Sequence, residues 1–312
     1  MWHFYFDLAN SIAQRDNMTP STNDPEIKYI RLGDTSLAYR EANSGQSKTL
    51  VLLHGLAESS AFFWRPLFKD FSTSYRIIAF DLLGHGQSDS DVEDYSPFHQ
   101  ASLIYSALQN LGIERVTIIA HSLGGMVGLA YTLTYPKDVE KLLLYSVPIG
   151  KGFWRTVPEL LSEVSILSLL PSFPLIVPFS GRAMKLSPQF LQKVAFSLIF
   201  RQWGVPFAIS DTNFAQFQHE MIGEAIKTTG IGLEKTVRDT FLFCNIYDRL
   251  TEIDIPVLFI KGHTDFILSD RMQYRYTSKV RNSQSIILKE TSHISLLDDP
   301  TNFLKHLKAF LE

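Results

Sequence analysis

The stretch IIAHSLGG, residues 118–125, decides the fold. An apolar run over 116–120 reaches Ser122, Gly124 and Gly125 follow, and a helical pattern continues over 123–135. A strand, a tight turn and a helix in that order present a serine on a strained corner. Its neighbours two residues away must be small so that the backbones can pass. Ala120 and Gly124 meet that need. The start of the helix lies beneath the serine, and its N–H groups favour negative charge developing there. A serine between small residues is common in proteins, so the surroundings have to support it.

On either side of this stretch, short apolar runs rich in β-branched residues alternate with helical patterns. The runs cover 49–53, 77–80, 116–120, 142–145, 257–260 and 285–288, and the helical patterns cover 98–111, 123–135 and 303–311. Runs apolar on both faces suit strands of a parallel sheet covered by helices. The alternation predicts an α/β fold with a doubly wound, mostly parallel sheet. Upstream, 27–32 and 36–41 read as two strands joined at Gly33 and Asp34. The rhythm breaks between 145 and 257, where the pattern is helical and rich in Phe, Leu, Trp and Pro, as in PSFPLIVPF at 171–179. An insertion at one point of such a sheet predicts a helical cap over its carboxyl edge, where ligands bind. The chain thus divides into an aromatic segment and linker (1–25), a core (26–147 and 251–312) and a cap (148–250).

Four further motifs follow strands. LLHGL occupies 52–56, FDLLGHGQSD 80–89, PVLFIKGHTD 256–265 and ETSHISLLDDP 290–300. Together with IIAHSLGG they resemble, in order, the motifs of the α/β-hydrolase family, with Ala120 standing where the usual elbow has its first glycine. The resemblance covers about 26–148 and 250–312 and does not extend to the cap or the N-terminal segment. It implies a serine hydrolase of the esterase or lipase kind, with Ser122 as nucleophile, Asp265 as acid and His293 as base. The family's acid loop is matched at Gly262 and Asp265, and its final-loop histidine at His293. The loop after residue 53 implies Leu56 N–H as one oxyanion donor, beside Leu123 N–H behind the nucleophile. The longer HGGG form is absent, since Ala57 and Glu58 follow Leu56. Asp81, His85 and Ser88 read as architectural. Asp248 and Asp270 are alternative acids, and His54, His85, His121 and His263 are alternative bases. His121, directly before the nucleophile, is expected to point away from it.

Related dehalogenases and epoxide hydrolases place an aspartate at the elbow; Ser122 favours ester, thioester, amide or activated carbon–carbon bond cleavage through an acyl-enzyme. No metal or organic cofactor is called for. Phe173, Phe179, Phe196 and Phe207 are candidates to line a pocket for an apolar acyl group, the alternative being that they pack the cap. The expected substrate is a small apolar ester of medium or long acyl chain, including monoacylglycerol-like lipids. A ring-cleavage carbon–carbon hydrolase and a ligand receptor on the same fold are the alternatives.

The composition sets outer bounds. The chain has 312 residues, 45% hydrophobic and 20% charged, with a net charge of −3, which offers no basic surface for nucleic acid. The one cysteine, Cys244, excludes an intrachain disulfide and reads as a small core residue. No apolar run reaches the ~20 residues that span a bilayer. The start, MWHFYFD, lacks the pattern of a secretory signal. On a helix Trp2, Tyr5, Phe6, Ala9 and Ile12 would share a face. Residues 1–13 therefore read either as a peripheral membrane anchor or as a segment folded on the body of a cytoplasmic protein.

Overall fold

In strand β3 (Thr49–Leu53) every residue is buried, and alternate side chains serve opposite faces of a sheet. Val51 and Leu53 join one hydrophobic cluster, Leu50 and Leu52 the other. The same alternation runs through β4 (Arg76–Phe80), β5 (Val116–His121), β6 (Val139–Tyr145) and β7 (Val257–Gly262). This double burial is what the unbroken apolar runs encode. The computed structural model describes residues 24–156, 158, 220, 221, 223, 225, 228, 230–265 and 267–312. The N-terminal aromatic segment, most of the expected cap, and Phe173, Phe179, Phe196 and Phe207 lie outside the described residues.

With β1 (Ile27–Leu32), β2 (Thr35–Ala42) and β8 (Ser283–Leu288), the strands form one eight-stranded sheet in the order β1-β2-β4-β3-β5-β6-β7-β8. The β1–β2 and β2–β4 pairs are antiparallel and all the others are parallel. One face is covered by α2 (Pro97–Asn110), α3 (Leu123–Thr134) and α5 (Asp270–Thr277). The other is covered by α1 (Arg65–Phe71) and α7 (Pro300–Leu311). Two shorter helices, α4 (Gly230–Thr236) and α6 (Ser295–Asp298), complete the described elements that bear on the site.

Local chemistry sets where the helices begin. Ser96 Oγ accepts the His99 N–H at the start of α2, Ser269 Oγ the Met272 N–H at α5, and Asp299 the Asn302 N–H at α7. Pro97 and Pro300 occupy first-turn positions that have no partner for an N–H. Strand β6 begins at Val139, three residues before the apolar run over 142–145. Its entry is polar because Lys141 Nζ donates to the Phe310 and Leu311 carbonyls at 2.7 and 2.9 Å, tying β6 to the end of α7. Cys244 is half-buried rather than a core residue, and burial pushes its thiol up to about 11. Among the described residues no helix is long and apolar enough to cross a membrane.

Candidate active site

Strand β5 ends at His121 and α3 begins at Leu123, so Ser122 alone makes the corner. Its backbone sits at φ 46 and ψ −109, a conformation that costs a non-glycine residue about 1–3 kcal/mol. The corner is held by Ser122 N–H donating to the Tyr145 carbonyl at 2.9 Å and Gly125 N–H donating to the Ser122 carbonyl at 3.0 Å. Gly124 is required by close approach: a Cβ there would lie 2.2 Å from the Leu53 carbonyl oxygen. The elbow is thereby pressed against the end of β3, whose following loop carries Leu56. Among the described residues neither the Leu56 nor the Leu123 N–H has a hydrogen-bond acceptor. For Leu123 this is the normal state of a first-turn helix amide.

The loops that carry Asp265 and His293 are knitted together at the ends of β7 and β8. His263 N–H donates to the Leu288 carbonyl at 2.8 Å and Thr264 N–H to the Thr291 carbonyl at 2.9 Å. A Cβ on Gly262 would meet the Ser292 carbonyl oxygen at 2.1 Å, so a glycine is needed there for the loops to touch. Asp265 Oδ2 lies 3.0 Å from His293 Nδ1. Its other oxygen, Oδ1, accepts the Ile267 and Leu268 N–H groups at 2.9 and 3.0 Å. The cap of α5 is Ser269, so Asp265 is not spent on helix capping. Burial pushes the Asp265 carboxyl up, but the His293 imidazole, the Leu268 N–H and Lys261 outweigh it and hold it below its ordinary value. A buried carboxylate bonded to Nδ1 leaves Nε2 as the nitrogen able to act as base. Next to His293, Asp298 accepts both the N–H and the Oγ–H of Ser292, at 2.6 and 2.7 Å, fixing the loop that carries His293.

The alternative acids are elsewhere. Asp248 is exposed and paired with Arg155 at 2.7 Å, which holds its carboxyl down to about 2. Asp270 pairs with Lys261 at 2.5 Å in the first turn of α5. Among the other histidines, His54 Nε2 accepts the Leu82 N–H at 3.0 Å and its Nδ1 faces the Gly55 carbonyl at 2.7 Å, a bridge between two loops. His85 is buried with Nδ1 on the Leu83 carbonyl at 2.9 Å, and His263 lies on the surface near Asp270. Asp81 accepts the Ser60 and Gln87 N–H groups, and Ser88 Oγ donates to the Asp81 carbonyl. Those contacts make Asp81 and Ser88 architectural, as their motif implies.

One feature of the site is not evident from the motifs. Glu58, buried at 2% exposure, pairs with His121 at 3.0 Å directly behind Ser122. Burial pushes the Glu58 carboxyl up, yet His121, with His54 and the Gly55 N–H, holds it below its ordinary value. The signal available in the sequence is an acidic residue three positions after Gly55, together with a histidine directly before Ser122; neither suggests burial on its own.

A family model described as alpha/beta hydrolase fold matches residues 48–197. An uncharacterized protein of Mycobacterium tuberculosis is 29% identical over 301 residues, covering 92% of this chain and 82% of that one. Lipase 3 of a Moraxella species is 26% identical, covering 93% and 86%. Among solved structures, the enol-lactonase from Burkholderia xenovorans superposes with a TM-score of 0.70 at 18% identity, covering 91% of this chain and 99% of that one. An esterase from a Rhodococcus species superposes with a TM-score of 0.69 at 22% identity, covering 91% and 98%. The sheet order, the serine corner and these likenesses agree on the α/β-hydrolase fold, and the likenesses are those of a hydrolase.

Proposed function

We propose that this hydrolase cleaves carboxylic esters of medium or long acyl chains through an acyl-enzyme on Ser122. The observation that carries the reading is the buried Asp265–His293 hydrogen bond, 3.0 Å long, on loops joined at the same sheet edge as the strained Ser122 corner. In the first half-reaction Ser122 Oγ attacks the ester carbonyl while His293 Nε2 takes its proton. Asp265 holds the ring and stabilises the imidazolium. The Leu56 and Leu123 N–H groups receive the oxyanion. Collapse expels the alcohol, which leaves with the proton from His293. In the second half water attacks the acyl group, His293 accepts and returns a proton, and the acid departs with Ser122 restored.

A hydroxyl nucleophile supports acyl transfer over the alkyl-enzyme route that an elbow carboxylate serves. The lipase among the relatives, and the esterase and enol-lactonase among the similar folds, support an ester-type bond. We place the chain-length preference in residues 148–250, read as a cap that leaves the sheet after β6 and returns before β7. The test is turnover of nitrophenyl esters from acetyl to dodecanoyl, with Ser122→Ala as control. A maximum at medium or long chains supports the reading. A flat profile, or one favouring acetyl, contradicts it and favours the carbon–carbon hydrolase, to be checked with a dienone ring-cleavage product.

A further inference from the structure

The elbow, the oxyanion loop and the base loop converge on a buried pair that the acyl-transfer steps do not themselves use. Both carboxylate oxygens of Glu58 lie 3.0 Å from His121 Nδ1. Oε2 also accepts the Gly55 N–H at 2.6 Å. On the far side of the ring, His121 Nε2 lies 3.1 Å from the backbone carbonyl of His293. A carbonyl only accepts, so Nε2 carries a hydrogen. One further proton must then lie between Nδ1 and the carboxylate, since otherwise two lone pairs would face each other. The pair therefore keeps one shared proton and is neutral as a unit, which makes its burial tolerable.

We propose that Glu58 and His121 form a positioning pair that locks the oxyanion loop and the base loop onto the Ser122 elbow. The inference rests on Ser122 being the nucleophile. Three observations carry it. A Cβ on Gly55 would lie 2.6 Å from His121 Nδ1 and 3.0 Å from the Glu58 carboxyl, so the oxyanion loop is wrapped directly on the pair. Ala57, inside that loop, has a φ of 61, a left-handed conformation that is strained for a non-glycine residue. The Gly55–Glu58 hydrogen bond closes this turn and keeps Leu56 in place between its ends. Finally, Phe63 stacks on the His121 ring at 4.6 Å and Tyr145 packs against it at 4.4 Å, so water does not compete for these bonds. Asp265 fixes the ring of His293, and His121 fixes its backbone. Both His121 nitrogens are occupied, so the pair acts through position and not by moving protons.

The experiment measures kcat and KM per active site titrated with a fluorophosphonate, and affinity for a trifluoromethyl ketone that forms a tetrahedral adduct with serine. Glu58→Ala is expected to lower kcat by about 10- to 100-fold with KM within about threefold, and to weaken adduct affinity by the same factor. Glu58→Gln can accept from Gly55 and donate to a neutral His121 Nδ1, so it recovers most of the loss. Unchanged kcat per titrated site overturns the proposal, as does a raised KM with adduct affinity intact. Should Glu58→Ala fail to fold, Glu58→Asp replaces it. Its carboxylate is too short to reach both partners, and a loss of about tenfold relative to Glu58→Gln is expected. Equal activity of those two variants overturns the proposal. A wild-type protein that does not react with the fluorophosphonate is a different result, since it removes the serine-hydrolase reading and takes the positioning role with it.

Discussion

Gly124 N–H donates to the His54 carbonyl at 3.0 Å, binding the first turn of α3 to the loop after β3. This contact brings the Ser122 corner beside the loop that carries Leu56, and only a residue without a side chain can make it. Gly124→Ala should therefore cost about 1–3 kcal/mol of stability, because the obstructing atom is backbone and cannot rotate away. The expected result is a melting temperature lower by several degrees and turnover lower by at least about tenfold. Wild-type values for both would mean that the corner and the loop do not need this separation.

Asp265→Asn keeps the side-chain shape but removes the charge that orients and stabilises His293. Turnover should fall by about 10^4-fold, less than for loss of the nucleophile. Asp248→Asn, on an exposed residue paired with Arg155, should leave turnover within about twofold, as surface pairs contribute little. Assaying the two variants together decides the acid; greater damage from Asp248→Asn would reverse the assignment.

Acid sensitivity should trace partly to His85. Burial holds its imidazole down to about 3. The unfolded chain binds a proton near pH 6.5, the folded one only near pH 3, so stability is complete above about pH 6.5 and declines as pH falls below it. At pH 5.5 the loss from this one group is about 1.4 kcal/mol. Asp265, held below its ordinary value, contributes stability that persists above about pH 4 and is lost only below that, so it leaves this window flat. Denaturant melts at pH 7.5 and 5.5 should show a shallower pH slope for His85→Gln than for wild type. Equal slopes would mean that His85 is charged or exposed in the folded protein.

Much of the core was legible because its signals are local. The strands at 49–53, 116–120 and 257–260 are buried on both faces, and that burial writes an unbroken apolar run into the sequence. The corner at Ser122 and the touching loops at Gly262 require small residues at fixed offsets, so they are readable too. The first three residues of β6 are not legible as strand because Glu140 and Lys141 are polar, and the reason for Lys141 lies 169 residues away at Phe310. The Glu58–His121 pair is illegible in the sequence for the same reason. Each residue looks like solvent-facing chemistry in its own segment, and only the fold brings them together across 63 positions.

Chain-length selectivity is expected to belong to the insertion. Residues that line an acyl pocket contribute about 0.8 kcal/mol per buried methylene until the pocket ends. Phe→Ala variants at Phe173, Phe179, Phe196 and Phe207 should shift the preferred length while leaving short esters nearly unaffected. The readout is kcat/KM from acetyl to dodecanoyl esters. Equal loss at every length would assign these phenylalanines to packing of the cap.

Covalent labelling decides whether Ser122 is the nucleophile. Wild-type protein treated with a fluorophosphonate should gain one adduct in intact mass, located by peptide mapping on Ser122. Ser122→Ala should gain none, and its turnover should fall roughly a million-fold with the fold retained. An adduct on another residue, no adduct on the wild type, or folded Ser122→Ala keeping more than about one per cent of turnover would contradict the account.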